Sequence, residues 1–431
     1  MTQTIKNHAT TTESIRNFSK ERYVSTGYAA REWERMWSES WLLAGLEQDV
    51  RSPGDFFVFE IGHESILVTR GQNGALGAYY NVCQHRGNRL VQAERGNADG
   101  FRCAYHAWTY ESDGSVRSIP DRHKFKQGLP CEQTNLKPVH VDVWDGFVFI
   151  SLSDRPMPLH DFLGPIVDLL APYRFRDMVI TEDQTVHHTC NWKTIIDNFS
   201  ELYHVDYIHP QHQRFVDCCN DRVDLFPYGH TAVIVEGATV NPRYPIPAEP
   251  TDILTEQLKS LNLDPKDFTN RVPEIRKTVQ QRKREIGASQ GYNYDGFSDD
   301  QLSDIWQFNL FPNVILSFTP EFCWILRPRP HATDPQKCSF DKITLTNIPT
   351  PSGESAHPSA APTRPVRDVF DHRQILTGEK SMTITIDQDI HLLGGVQAGM
   401  RSKGFDKVWL SDDEIRVQHF HNALDDLMET P

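Results

Sequence analysis

Two hydrophobic periods divide the chain. Over residues 12–41 apolar side chains fall three or four apart (Ile15, Phe18, then Trp33, Met36, Trp37 and Trp41), which predicts helix and an aromatic packing stripe. From Leu42 the period drops to two. Strands are predicted at 56–61, 65–69 and 76–80, separated by Gly- and Asn-rich turns, and strand character returns at 108–110 and 139–153. Residues 42–155 are therefore expected to form an all-β module. At 156–173 the helical period resumes, with Leu159, Phe162, Leu163, Ile166, Leu169 and Leu170 on one face, and a second domain, 156–431, is expected to begin. Its predicted strands are 180–189, 231–239, 306–317, 322–327 and 339–346. The charged stretch 248–303 reads as a helical insertion, and 349–366, with Pro349, Pro351, Pro358, Pro362 and Pro365, as a mobile loop. Two helices close the chain: one near 386–401, and one opened by Ser411 with Glu414 three residues on, a capping-box signal. The fold class is α+β.

Length and charge narrow the function. At 431 residues each of two domains can bury its own core. A net charge of −14 argues against nucleic acid or an anionic membrane as partner; it suits solubility, or a basic or neutral electron-donor protein. Of eight cysteines, Cys131, Cys190, Cys218, Cys219, Cys323 and Cys338 show no disulfide spacing, and the vicinal Cys218-Cys219 reads as two incidental thiols. The first seventeen residues are polar, and no apolar run approaches the ~18 residues of a membrane span. The expected compartment is the reducing cytoplasm.

The remaining two cysteines carry chemistry. Cys83-Gln84-His85-Arg86-Gly87 is followed, after seventeen residues beyond His85, by Cys103-Ala104-Tyr105-His106. Each half pairs one thiol with one imidazole, so two loops can clamp a two-metal cluster, two thiolates on one iron and two imidazoles on the other, as in a Rieske [2Fe–2S] centre. Structural zinc is the rival reading, but its motifs usually pair like ligands in sequence. A second constellation is Glu201-Leu202-Tyr203-His204-Val205-Asp206-Tyr207-Ile208-His209-Pro210. Glu201 and His204, three apart, would share a helical face. His209 lies five beyond His204, about 140° around an ideal helix. Pro210 disfavours the α region for the residue before it, so the helix is expected to stop near Ile208 and let His209 swing toward His204. Two histidines and one carboxylate would form the facial triad of a non-heme Fe(II) oxygenase. His187 and His188, on a predicted strand, read as structural, and His212 as a near neighbour outside the ligand set.

The motifs Asn81-Val82-Cys83-Gln84-His85-Arg86-Gly87 and Cys103-Ala104-Tyr105-His106-Ala107-Trp108 resemble the α (oxygenase) subunit of Rieske non-heme iron ring-hydroxylating oxygenases. Ala104 and Ala107 stand where that family usually has Pro and Gly. The resemblance extends to Asp387-Gln388-Asp389-Ile390 with Val396-Gln397-Ala398-Gly399, and implies that Asp389 is the third iron ligand beside His204 and His209. Gln388 stands where the family often has Glu, leaving the ligand position itself unchanged. The resemblance also implies that Glu201 bridges to a cluster histidine, His106, of a neighbouring subunit, with Asp206 as the alternative bridge. The family more often has Asp at the Glu201 position, and members acting on quaternary ammonium compounds often carry Glu.

The implied fold is an N-terminal Rieske domain followed by a helix-grip domain, an antiparallel sheet around a long helix. The implied partners are a ferredoxin or flavin reductase fed by NAD(P)H, further copies in a homotrimer with or without a β subunit, O2 and a small organic substrate. Asn198, Phe199, Phe215, Phe308, Phe311, Phe318 and Trp324 are candidate pocket residues, suited to an aromatic or other apolar substrate, or to a quaternary ammonium group held by cation–π contacts. A plain electron-transfer Rieske protein would not need residues beyond about 155, and a non-catalytic helix-grip protein would need neither metal site.

Overall fold

The computed structural model describes residues 17–349 and 363–429. The first sheet has seven strands in the spatial order Trp41–Leu46, Phe147–Ser151, Pro138–Trp144, Leu76–Tyr80, Glu64–Arg70, Asp55–Ile61 and Arg95–Asn97, all antiparallel. Alternation sets the register: Phe57 and Val68 face each other and bury in one core, while Leu67 packs in another beneath the cluster loops. The single strand expected over 139–153 is a hairpin. Asp145 and Gly146 both take positive φ (44° and 85°), the signature of a tight two-residue turn whose twist matches the strands. Three short strands, Phe101–Arg102, Thr109–Tyr110 and Val116–Ser118, form a second small sheet at one end.

The helix expected over 12–41 is broken up, and residues 12–16 lie outside the described residues. Asn17–Ser19 is a strand paired with Lys407–Trp409, because Phe18 buries with Met400, Leu410 and Val417. Helices Glu21–Val24 and Thr26–Glu32 meet at Ser25, whose hydroxyl accepts from the Tyr28 amide. Trp33–Trp37 widens to a π-turn, and Trp41 opens the first strand of the seven-stranded sheet.

The second large sheet has eight strands, in the order Val216–Leu225, Thr231–Gly237, Ile305–Leu310, Val314–Thr319, Phe322–Pro330, Cys338–Thr346, Val179–His188 and Asp368–Asp371. Only the last pairing is parallel. The stretch 306–317, expected as one strand, is two, turning at 311–313. Val216–Leu225 and Asp368–Asp371 were not anticipated; both are short of alternating apolar residues because they lie at the sheet's edges. The faces differ sharply. Trp306, Phe308, Leu310, Leu316 and Phe318 pack into one core, whereas Gln307 and Asn309 look the other way, toward the C-terminal helix Ile415–Glu429. The capping box at Ser411 and Glu414 opens that helix through a short 3₁₀ turn.

The insertion holds helices Asp252–Ser260, Ile275–Gln290 and Asp299–Ser303 over a core of its own, including Leu254, Leu258, Phe268 and Val279. Of the proline-rich 349–366, residues 350–362 lie outside the described residues; its far end is anchored, with Arg364 donating to Asp183. Arg327 joins the two large sheets by donating to the carbonyls of Leu43 and Ala44 (2.6 and 3.0 Å) while it and Arg329 pair with Asp341. Burial alone would raise the Asp341 carboxyl, but Arg329 and Arg327 hold it far below the usual carboxylate range. Among the described residues no helix is long and apolar enough to cross a membrane.

Candidate metal centres

The two cysteine–histidine loops are built alike. In each, the cysteine amide donates to the carbonyl five residues on (Cys83 to Asn88, Cys103 to Trp108), and the amide four residues on returns to the cysteine carbonyl (Gly87 to Cys83, Ala107 to Cys103). The position that closes each turn needs positive φ, and Gly87 and Ala107 have 74° and 58°. Glycine accepts that conformation freely; alanine is strained there by about 1 kcal/mol. Both thiols are buried, and the imidazoles of His85 and His106 meet edge to face at 4.5 Å. Trp108 stacks on His85 at 5.0 Å. The Gln84 amide donates to the Tyr110 hydroxyl, freeing that hydroxyl to donate to Cys83 Sγ (3.4 Å), and Asn88 Nδ2 donates to Cys103 Sγ (3.6 Å). Buried His85 Nδ1 has no partner among the described residues. Two paired thiols with donors aimed at sulfur and two adjacent imidazoles fit a cluster held by two thiolates and two imidazoles.

The second site does not arise from one helix. Helix Trp192–Asn198 stops early, and the Ser200 hydroxyl returns to the Ile196 carbonyl (2.5 Å), competing with continuation of the helix. Residues 199–204 turn, so the expected shared helical face of Glu201 and His204 is corrected: Glu201 reaches His204 through a turn. Its Oε2 accepts from the His204 amide (3.0 Å) and its Oε1 from His204 Nδ1. A one-turn helix, Val205–Ile208, follows, and His209 leaves it at φ −118°, ψ 70°, as the following Pro210 requires. Asp389 comes from helix Ile384–Met400, whose Thr383 side chain accepts from the Ile386 amide at its start.

His204, His209 and Asp389 each offer a ligand atom, all within 4.8 Å of one another. The Nε2 atoms of His209 and His204 lie 3.1 and 3.6 Å from Asp389 Oδ1. His209 Nδ1 donates to Gln388 Oε1 (2.7 Å), as His204 Nδ1 does to Glu201, so both imidazoles keep an unprotonated Nε2 turned to the carboxylate. Asp389 is 1% exposed, and among the described residues neither of its oxygens has a hydrogen-bond donor. Lone pairs facing a buried, undonated carboxylate are costly without a cation between them. The trio therefore fits a divalent metal, and the open side of a three-ligand set leaves room for further ligands. For His204, burial alone would depress the imidazole, but Glu201 reverses the direction upward.

The other candidates separate clearly. Asp206 is buried against Asn241 and Arg243 (2.8 Å each) and does not join the trio. Phe308 and Phe318 do not line the metal side, a correction: strand alternation turns them into the core with Tyr173 and Phe175. Phe311 packs on Phe420, and Phe215 against the insertion. Phe199 and Trp324 share the cluster of Phe340 and Leu326, and Asn198 keeps a buried amide nitrogen without a partner among the described residues. His187 reaches Ser339, His188 the Ile390 carbonyl and His212 Thr385 Oγ1 (3.1, 3.4 and 2.9 Å). Sequence reasoning missed the support given by Gln388 and by Gln211, which donates to Gln388 Oε1 (2.8 Å). The acceptor at the position before Asp389 was the signal available.

Comparison with known proteins agrees with this geometry. Residues 175–430 match the family described as the ring hydroxylating alpha subunit (catalytic domain), and residues 40–135 the Rieske [2Fe-2S] domain. The glycine betaine monooxygenase oxygenase subunit of Pseudomonas aeruginosa is 34% identical over 178 residues, 41% of either chain. The anthranilate 1,2-dioxygenase large subunit of Burkholderia cepacia is 32% identical over 196 residues, 43% of this chain and 46% of its own length. The match thus spans less than half of these relatives. A crystal structure of a quaternary ammonium Rieske monooxygenase in complex with L-carnitine superposes with a TM-score of 0.67 over 96% of each chain at 18% identity, a likeness of fold. A catalytic domain matched over more than half of the chain, behind a Rieske module, makes this protein a member of the Rieske ring-hydroxylating oxygenase alpha-subunit family.

Proposed function

We propose that this chain is the terminal oxygenase of a multicomponent system that takes electrons from a ferredoxin or flavin reductase, and ultimately from NAD(P)H, to insert oxygen from O2 into a small organic substrate. The observation that carries the proposal is the trio of His204, His209 and the undonated, buried Asp389. With iron bound there and a cluster at Cys83, His85, Cys103 and His106, the centres would supply O2 activation and one-electron delivery. The protein's own part is to fix ligand tautomers through Glu201 and Gln388, and to keep the ligand carboxylate buried. Transfer between subunits of a homotrimer belongs to the same reading. Tyr105 beside His106 is 56% exposed, and Tyr203 within the Glu201–His204 turn and Tyr207 in the helix after it are 50% and 69% exposed, as surfaces that meet a neighbour would be.

For substrate, a small quaternary ammonium compound is favoured over an aromatic hydrocarbon. Phe308 and Phe318, which would have supplied aromatic walls, pack elsewhere, while the face of the sheet toward the C-terminal helix carries Gln307 and Asn309. The relative acting on glycine betaine and the structural neighbour binding L-carnitine support the same class. Aromatic-acid dioxygenation is the second reading, supported by the anthranilate 1,2-dioxygenase relative. The test is to give the reduced, iron-loaded protein ¹⁸O₂ with glycine betaine, L-carnitine, anthranilate and naphthalene, and to analyse products by mass spectrometry. Loss of a methyl group or one labelled oxygen on a quaternary ammonium substrate supports the first reading. Two labelled oxygens on anthranilate support the second, and product from naphthalene alone contradicts the polar-substrate assignment.

A further inference from the structure

Arg416, in the first turn of the C-terminal helix, is among the largest fully buried side chains of the protein. A buried guanidinium is ordinarily matched by a carboxylate. This one is not: among the described residues no Asp or Glu oxygen lies within 4.0 Å of it. Instead Nε donates to Thr231 Oγ1 (3.1 Å), and Nη2 to Gln307 Oε1 (2.9 Å) and Asn309 Oδ1 (2.8 Å), all neutral acceptors. Nη1 is buried with no partner among the described residues. The charges that bear on the group from neighbouring elements are Asp221 and Glu201, and they do not offset the burial, which pushes the guanidinium down to about 9.

The position connects it to the metal segment. Asn309 accepts from Arg416 and, through Nδ2, donates to the Ser200 hydroxyl (2.6 Å); the next residue, Glu201, holds His204. Three neutral acceptors orient the fork without neutralising it, and leave the buried Nη1 without an acceptor among the described residues. A planar guanidinium with an unpaired N–H is matched by a carboxylate.

We propose that Arg416 is the recognition site for a carboxylate on the substrate, so that this enzyme takes organic acids and discriminates against counterparts lacking the acid group. The inference rests on the proposed oxygenase reading, and deepens it: the acid end is held at the C-terminal helix while the opposite end of the molecule reaches the trio. A compact zwitterion, ammonium at one end and carboxylate at the other, fits that division. The unpartnered Nη1 would then gain the acceptor that the fold withholds.

The test uses the cluster- and iron-loaded protein and compares binding of glycine betaine with choline, and of anthranilate with aniline, by calorimetry and by KM. Wild type is expected to prefer the acid of at least one pair. In Arg416→Gln that preference should fall about 10- to 100-fold, the worth of a charge-assisted hydrogen bond, with iron content and cluster spectrum unchanged. Arg416→Lys should retain only part of it. Because Arg416→Gln removes a buried anchor, Gln307→Glu provides a second arm: it gives the guanidinium an internal carboxylate and should weaken binding of the acid relative to choline and aniline. Unchanged discrimination in a folded Arg416→Gln or in Gln307→Glu overturns the proposal, as does a wild type that prefers neither acid. The two readings fail separately. Acid binding that depends on Arg416 without oxygenation of any ligand sinks the oxygenase reading alone, and oxygenation indifferent to Arg416 sinks this one alone.

Discussion

The two candidate metal centres are built by different means. Cys83, His85, Cys103 and His106 sit on two consecutive loops of matching hydrogen-bond pattern, so each half of the site is a local turn that the chain forms by itself. His204 and Asp389 lie 185 residues apart in sequence, on elements that meet only when the eight-stranded sheet and its flanking helices are in place. The local centre is supported by donors to sulfur from Tyr110 and Asn88, the distant one by acceptors for imidazole from Glu201 and Gln388. A site written in adjacent residues can be recognised without the fold; a site assembled across the chain needs the fold to explain why its carboxylate is buried and undonated.

Substitutions can break this contrast. The largest effect is expected from Cys103→Ser, which should abolish the cluster's absorbance and EPR signals and all turnover, while metal analysis still finds iron at His204, His209 and Asp389. Loss of iron from both sites would mean that they do not assemble independently. Next, Glu201→Gln should slow product formation about 10- to 100-fold with both centres loaded, the usual cost of removing a partner that orients a ligand imidazole. Rates equal to wild type in rapid-mixing experiments would remove Glu201 from the pathway. Gln388→Leu should weaken iron at the distant site by about 10-fold, read by competition with a chelator, and leave the cluster spectrum alone. The smallest change is a gain: Ala107→Gly should relieve the positive φ at the second loop and raise stability by about 1 kcal/mol in a denaturant titration of the loaded protein.

Legibility in the sequence follows the same division. Strands with clean alternation, such as Asp55–Ile61 and Glu64–Arg70, were readable to within a residue at each end. The Asp145-Gly146 turn was written plainly but lay inside a continuous apolar run, so one strand was read where two fold back. Edge strands such as Val216–Leu225 carry too few apolar residues for the period to register. In the site, Pro210 correctly implied that His209 leaves the helix, yet nothing local revealed that the helix before it ends at Asn198, because the competing hydroxyl of Ser200 acts through a back-bond to Ile196. Phe308 and Phe318 misled because aromatic character does not say which face of a strand it lies on. Arg416 went unnoticed for the opposite reason: a lone arginine in a helix reads as surface until burial shows otherwise.

The most direct test of the account is metal analysis of Asp389→Ala beside wild type, with the cluster followed by EPR in the same samples. The account predicts one iron fewer per chain, an unchanged cluster signal on reduction, and no oxygenated product. Iron retained in full with turnover intact would contradict it, and would place the oxygen chemistry away from His204, His209 and Asp389.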